Sequence, residues 1–338
     1  MSTLVVTIPA YNEEATIGEV IREIPRQIPG FDRVFVLVID DGSRDRTAEA
    51  ARQAGADFIL THKHNRGLAV TFRDGLDAAL SLGADVIANT DADNHYDQTR
   101  IPELVAPVLA GEADIVIGSR PLGGLSEMSL SRRWGNRIAN ATFRFLYGLP
   151  QDTDISSGFR AYSREAALRL SVTSKYTYTH ETLISALDQR LNIISKVIPA
   201  RDVSRPSRLM SNVRSHVFRA GTVAFMSFVI HRLFRILALV STLLILMGGA
   251  FYARFIYFYA TSGGAGHIQS LVGASLAVIL GVQLLVGSFF AASLVKNRQL
   301  VEEVLYQQRR QLFEGEREPS RRLTVEPPVA ISSPTSDG

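Results

Sequence analysis

Between Ile236 and Val295, sixty consecutive residues carry a single formally charged side chain, Arg254. A water-facing domain cannot build its surface from such a stretch, so this part of the chain is expected to fold in lipid. It divides into Ile236–Tyr259 and Leu271–Val295, each longer than the roughly 20 residues needed to cross ~30 Å of hydrocarbon. The connecting Ala260–Ser270 is rich in Gly and has no Lys or Arg. Tyr252, Tyr257 and Tyr259 suit an aromatic belt at the far end of the first span, where Arg254 can snorkel. Arg232 and Arg235 precede the hairpin, and Lys296 and Arg298 follow it. The positive-inside rule then predicts that both outer ends, and the N-terminal half with them, are cytoplasmic. Gly273, Gly281 and Gly287 would allow close helix packing within the hairpin or between chains, the latter giving a homo-oligomer.

The overall charge of +3 hides an asymmetry. Residues 1–200 hold 21 basic and 25 acidic side chains, whereas residues 201–338 hold 15 and 8. There is no Cys, which excludes disulfides, thiolate metal sites and cysteine nucleophiles. The opening Leu4–Ile8 run is too short and too β-branched for a signal segment, and reads as a buried strand ending at Pro9. Ile17, Val20, Ile21 and Ile24 have helical spacing behind a candidate N-cap, Thr16. Further strands are expected at Val34–Ile39, Phe58–Thr61, Val86–Thr90 and Ile115–Ile117. Helices are expected at about Arg46–Ala54, Leu68–Ser81 and Ile101–Leu109. Continuous apolar strands alternating with helices indicate an α/β fold with a parallel sheet covered on both faces. Ligands of such sheets bind beyond the carboxyl ends of the strands.

Neither a dinucleotide-binding glycine fingerprint nor a Walker-type phosphate loop is present. The strand ends carry carboxylates instead: Glu13-Glu14, Asp40-Asp41 and Asp91-x-Asp93, together with Asn65-Arg66-Gly67. Two Asp two residues apart on a loop can face one hard cation, Mg²⁺ or Mn²⁺, which keeps its other positions for water and phosphate oxygens.

Ile8-Pro-Ala-Tyr-Asn-Glu-Glu14, Asp40-Asp-Gly-Ser43, Asp91-Ala-Asp93, Ile117-Gly-Ser-Arg120 and Ser157-Gly-Phe-Arg-Ala-Tyr162 occur in an order and spacing that resemble the inverting GT-A glycosyltransferases of family 2. The likeness is to the polyprenyl-phosphate branch, which includes dolichyl-phosphate mannose synthases, and extends to about Gln311. It implies a Rossmann-like, mostly parallel GT-A sheet followed by a two-helix transmembrane hairpin. Pro9, Tyr11 and Glu13 would contact the base and ribose of a UDP- or GDP-sugar, with Asp40 and Asp41 beside them. Asp91, Ala92 and Asp93 would hold the donor diphosphate through the metal. His95 stands where related synthases often have Gln, two residues past the second Asp, which leaves the third ligand open. Arg120 and either Arg132 or Arg133 match basic positions near the donor or acceptor phosphates. Asp154 and Arg160 flank the Ser-Gly-Phe-Arg segment on the acceptor side, where they are either site residues or a structural ion pair. Glu181 is the candidate general base if one is required, or else a structural or acceptor-site carboxylate.

Residues 201–235 contain seven Arg and one acidic residue, Asp202. Arg205-Pro-Ser-Arg-Leu209 resembles a shortened acceptor segment in which Arg205 and Arg208 would hold a lipid phosphate. Val213–Arg235 reads as an interfacial helix on an anionic membrane surface, and the adjoining spans speak against a nucleic-acid patch. The expected organisation is a catalytic domain (1–200), a basic juxtamembrane segment (201–235), two spans (236–295), a cytoplasmic helix (296–313) and a disordered tail (314–338). The expected activity is metal-dependent sugar transfer to a polyprenyl phosphate. The alternatives are a processive polysaccharide synthase, another membrane transferase with a hydroxyl acceptor, and a non-catalytic scaffold. A synthase would carry Gln-x-x-Arg-Trp, where this chain has Leu130 before Arg133-Trp134.

Overall fold

The computed structural model describes residues 2–119, 153–172, 178–199, 201, 213–263 and 268–314, with the side chains of 213–233, 262 and 314 excepted. These residues fall into two compact units, one up to Arg214 together with those from Val304, the other Ser215–Glu303.

The first unit is built on a seven-stranded sheet. Strands β1 (Thr3–Ala10), β2 (Arg33–Asp40), β3 (Phe58–Thr61) and β4 (Val86–Asn89) come first in the chain. They are followed by β5 (Ile115–Ser119), β6 (Arg160–Ser163) and β7 (Ile193–Val197). The spatial order is β3-β2-β1-β4-β6-β5-β7. All pairings are parallel except those of β6, which runs antiparallel to both β4 and β5. The mostly parallel sheet is thus as expected, and β6 is the element that makes it mixed.

Helices α1 (Ile17–Glu23), α2 (Thr47–Gln53), α3 (Leu68–Ser81) and α4 (Ile101–Leu109) cover the sheet. Helices α5 (Arg164–Arg169) and α6 (Tyr178–Asp188) follow β6. Ile17, Val20 and Ile21 of α1 and Leu104 and Val105 of α4 enter one core with Leu4, Val6 and Ile8 of β1. Each such side chain contributes about 1.5–3 kcal/mol by leaving water. Thr16 does occupy the N-cap of α1, but its hydroxyl bonds the Glu13 carboxylate (2.9 Å) in place of a helix N–H.

The strand order reverses at β1, which has β2 on one side and β4 on the other. The residues after β1, β2 and β4 therefore gather at one sheet edge. Because β6 is antiparallel and pairs Arg160 with Asn89, the residues before β6 arrive at the same edge.

The second unit consists of parts of two long helices, α7 (Val213–Ser262) and α8 (Ile268–Glu314). Phe234–Thr261 and Ile268–Phe313 are each long and apolar enough to cross a membrane. Their outward faces expose large apolar side chains such as Phe289 and Leu294, a surface suited to lipid and not to water. The protein is accordingly a membrane protein. Between the helices, Ser241 Oγ donates to the Gly281 carbonyl (2.9 Å), and Tyr252 and Ser275 share a hydroxyl bond (2.8 Å). A Cβ on Gly281 would lie 2.7 Å from Ile245, whereas Gly273 and Gly287 face open space. Of the three glycines singled out above, one therefore serves packing within the hairpin.

The segment boundaries expected at 235 and 296 do not coincide with helix ends. Helix α7 runs unbroken through Arg235, and α8 unbroken through Lys296 and Arg298. Charged residues alone do not stop a helix when no Gly or Pro follows. The last turns of α8 belong to the first unit. There Tyr306 and Phe313 are buried, Tyr306 OH donates to Glu165 (2.9 Å), and the Arg169 guanidinium sits over the Tyr306 ring at 4.2 Å. Arg309 donates to the carbonyls of Leu168 (2.9 Å) and Leu170 (2.8 Å) at the end of α5 and pairs with Asp77. It thereby satisfies carbonyls that the helix terminus leaves without partners. Arg309→Ala is expected to cost about 1.5–3 kcal/mol, typical of hydrogen bonds to a charged group, read as a lowered thermal unfolding midpoint in detergent.

Candidate active site

Two loops at the sheet edge are fastened to each other by backbone-to-side-chain bonds. Ser43 Oγ accepts from Asn12 N (2.9 Å), Thr47 Oγ1 from Glu13 N (2.8 Å), and Asn12 Oδ1 from Arg44 N (2.8 Å). This positions Pro9, Tyr11 and Glu13 against the Asp40–Ser43 turn. Tyr11, on the segment just after β1, is 40% exposed.

Asp40 and Asp41 are both buried. Asp40 Oδ1 accepts from Ser43 N (3.0 Å) and shapes the turn. The Asp41 carboxylate accepts from Arg66 N (2.8 Å) and Gly67 N (2.9 Å), and meets His62 Nδ1 at 2.8 Å. On its other side His62 Nε2 lies 3.2 Å from Asp74, which also pairs with Arg66 (2.7 Å). Asp41 thus organises the Asn65–Gly67 loop. Gly42 (φ +70°) allows the approach, since a Cβ there would lie 2.6 Å from the His64 backbone.

Asp91, Ala92 and Asp93 follow β4. Asp93 is 42% exposed, its Oδ2 2.8 Å from His95 Nδ1 and its Oδ1 3.3 Å from His95 N. Burial pushes the Asp93 carboxyl up, but the hydrogen bonds and charge of His95 outweigh it, and the net position is below the ordinary value. His95, expected among the metal ligands, here holds Asp93 in place. Among the described residues no group of three or more His, Asp and Glu forms a metal cage.

Beside Asp91 stands a buried framework absent from the sequence reading. Asn89 Nδ2 donates to the Gly158 carbonyl (2.8 Å) and to Tyr178 OH (3.1 Å), and Asn89 Oδ1 accepts from Thr7 (3.2 Å). Tyr178 is stacked on Phe72, with centroids 4.0 Å apart. Burial first, then the neighbouring Asp91 charge, raises the Tyr178 phenol well above its ordinary pKa, so it stays protonated. A Cβ on Gly158 would lie 2.6 and 2.7 Å from the two Asp91 oxygens and 2.7 Å from Tyr178 OH. The Ser157-Gly158 segment is pinned in turn by Tyr96, whose hydroxyl accepts from Gly158 N (3.2 Å), and by Ser157 Oγ donating to Gly118 O (2.6 Å). The glycine in Ser157-Gly158-Phe159 was the visible signal; nothing in the sequence marks Asn89 or Tyr178.

Of the two readings given for Arg160, the acceptor-phosphate role requires a correction and the structural one fits, though not as an ion pair with Asp154. Arg160 is 1% exposed and donates to the carbonyls of Ser157 (2.8 Å), Thr179 (2.9 Å) and Ile155 (2.8 Å) and to Thr182 Oγ1 (2.9 Å). A guanidinium so enclosed ties the turn before β6 to α6 and has no face left for a ligand. Asp154 Oδ1 closes a local turn through Ser156 N (3.1 Å) and Ser156 Oγ (2.6 Å). Glu181 lies half-buried one turn along α6 from Tyr178. Arg120, Arg132, Arg133, Arg205 and Arg208 lie outside the described residues.

A mostly parallel sheet whose order reverses at β1, with an Asp-x-Asp loop and a fastened acidic turn at its carboxyl edge, fits a glycosyltransferase of the GT-A class. Residues 5–170 match the family described as Glycosyl transferase family 2. Polyprenol monophosphomannose synthase of Mycolicibacterium smegmatis is 31% identical over 232 residues, 65% of this chain and 85% of that protein. The UDP-N-acetylglucosamine–dolichyl-phosphate N-acetylglucosaminyltransferase of Methanococcus voltae is 30% identical over 207 residues, 55% of this chain and 80% of that protein. Among solved structures, glucosyl-3-phosphoglycerate synthase from Mycobacterium tuberculosis, in complex with Mn²⁺, UDP-glucose and phosphoglyceric acid, shares 25% identity with a TM-score of 0.53. That alignment covers 66% of this chain and 79% of the synthase. The chain belongs to glycosyl transferase family 2, in its polyprenyl-phosphate branch, and is a glycosyltransferase.

Proposed function

We propose that the protein moves a sugar from a UDP- or GDP-linked donor to a polyprenyl phosphate at the cytoplasmic membrane face, with inversion and with Mg²⁺ or Mn²⁺. The observation that carries this reading is the pairing, in one chain, of an Asp-x-Asp site on a family 2 sheet with two lipid-facing helices. The relatives named for dolichyl-phosphate and polyprenol substrates support it.

The donor set suits a hard cation. Asp91 and Asp93 offer carboxylate oxygens on one loop, and Gly158, lacking a Cβ, lets its backbone lie close against the Asp91 carboxylate without displacing it. When bound, such a cation offsets the charge that gathers on the departing nucleoside diphosphate. The chain's own residues do the rest. Tyr11 and the Pro9–Glu13 turn receive the base and ribose, and the Asp41-organised Asn65–Gly67 loop closes that side. Asn89 and Tyr178 hold the wall on which Asp91 rests. The acceptor phosphate oxygen attacks C1 from the face opposite the leaving group. An α-linked donor therefore yields a β-linked lipid phosphate sugar.

A phosphate monoester with a second pKa near ~6 is mostly dianionic at neutral pH and needs no general base. What it needs is positive charge, the role proposed for Arg205 and Arg208 with Arg120 and Arg132 or Arg133. Glu181 is then a carboxylate of the α6 wall, not an obligatory base. The Lys and Arg residues flanking the hairpin favour both of its outer ends being cytoplasmic.

The test is a screen of the detergent-solubilised protein with Mg²⁺ or Mn²⁺, polyprenyl phosphate and labelled UDP-glucose, UDP-GlcNAc and GDP-mannose. One donor is expected to give a labelled product that partitions into organic solvent. No lipid-linked sugar from any common donor would overturn the proposal.

A further inference from the structure

We propose that Arg201 is a positioning residue for the metal loop, holding the turn that aims Asp93 and tying it to the start of the basic segment. The inference rests on the reading of Asp91 and Asp93 as the cation-binding pair.

Arg201 gathers three parts of the chain. Its Nη1 lies 2.8 and 2.7 Å from the two Glu23 carboxylate oxygens in the last turn of α1, and donates to Asn94 Oδ1 at 3.0 Å. Its Nη2 reaches Asp97 at 3.4 Å. Its backbone N–H donates to the His95 carbonyl at 2.9 Å. Side chain and main chain thus grip the same turn at three successive points, Asn94, His95 and Asp97.

That turn is conformationally unusual. Asn94 sits in the left-handed region, at φ +60°, directly between Asp93 and the residue that orients it. His95 holds Asp93 through its ring and its N–H, while its carbonyl is held by Arg201. Whatever keeps the His95 peptide in place therefore also keeps the Asp93 carboxylate in place. Without the guanidinium, Glu23 would lose its partner and Asp97 would keep only the more distant Arg100 (3.8 Å), adding negative charge around a loop that is already acidic. An isolated surface ion pair is worth little, but here one Arg engages two carboxylates, an amide and a main-chain carbonyl.

Arg201 is also where β7 has just ended and the basic segment begins, with Arg205 and Arg208 four and seven positions further on. One residue accordingly joins the donor-side loop to the stretch assigned to the acceptor phosphate. Groups bonded directly to metal ligands typically change metal affinity by 10–100-fold when removed, and Arg201, one contact further out, belongs at the low end of that range.

The test uses the full chain in detergent, with Mn²⁺ binding followed by the electron paramagnetic resonance of the free ion in the presence of UDP, and of GDP in parallel. Arg201→Gln is expected to weaken Mn²⁺ binding by roughly tenfold, with metal-free nucleotide binding near wild type and only a modest fall in the thermal midpoint. Arg201→Lys should recover part of the loss, because the charge returns without the fork. Glu23→Gln should weaken Mn²⁺ binding in the same direction with Arg201 still in place. Unchanged Mn²⁺ affinity in Arg201→Gln and Glu23→Gln would overturn the proposal. So would a loss of nucleotide binding and of thermal stability as large as the loss of metal, which marks a purely structural role. A wild-type chain that binds no Mn²⁺ under these conditions would overturn the cation-site reading itself, and this inference with it.

Discussion

Asp93→Asn is expected to lower kcat/KM by roughly 10³-fold, the scale seen when one fixed electrostatic group is removed from a charge-developing transition state. The substitution keeps the size of the side chain and one carbonyl oxygen. It removes the negative charge, and with it both the attraction for a divalent cation and the pairing to His95 across 2.8 Å. Because Asp93 is a partly exposed loop residue, the fold does not depend on its charge, and the thermal midpoint is expected to remain near wild type. The check is steady-state kinetics over a series of Mg²⁺ and Mn²⁺ concentrations. Near-normal turnover by the variant with the cation chelated would show that the role assigned to Asp93 is wrong.

The second large effect comes from a single methyl group. In Gly158→Ala the new Cβ would stand 2.6 and 2.7 Å from the Asp91 oxygens and 2.7 Å from the Tyr178 hydroxyl. None of these atoms is the loose end of a long side chain. Tyr178 is stacked on Phe72 and bonded to Asn89, and the Gly158 carbonyl is itself held by Asn89. The Asp91 carboxylate must therefore move, and a displacement of about 1 Å in a positioned group can cost ~10²-fold in rate. We expect kcat to fall on that scale while metal-free nucleotide binding, proposed above to use the turns after β1 and β2, is retained. Adding Tyr178→Phe removes one of the three clashing atoms and should restore part of the activity. Full activity of Gly158→Ala would mean that the surroundings of Asp91 are more forgiving than this packing implies.

Most of the sheet and the acidic edge of the site were legible because both rest on short-range signals. Runs such as Leu4–Ile8 and Val34–Ile39 are apolar without interruption, and the carboxylates at Asp40-Asp41 and Asp91-x-Asp93 follow such runs directly. Strand β6 escaped because Arg160 and Ser163 make it look polar, although its central residues are buried between two neighbours. The choice between the two readings of Arg160 is hidden for a related reason: its guanidinium is taken up by carbonyls from Ile155, Ser157 and Thr179, groups that every sequence contains and none advertises. The framework of Asn89, Tyr178 and Gly158 spans 89 positions between Asn89 and Tyr178 and has no spacing rule to reveal it. The segment boundaries at 235 and 296 fall where charge reappears, and charge marks where an apolar stretch ends, not where a helix does.

The identity of the acceptor group is the point on which the whole account turns, and a paired-acceptor measurement tests it most directly. The purified protein is incubated with its preferred labelled donor and divalent cation, once with polyprenyl phosphate and once with the corresponding polyprenol, and the product is followed by ³¹P NMR and mass spectrometry. The account predicts label in lipid only with the phosphate, conversion of the monoester resonance to a diester, and one nucleoside diphosphate released per sugar transferred. Label on the polyprenol, or free sugar released to water with no diester formed, would contradict it.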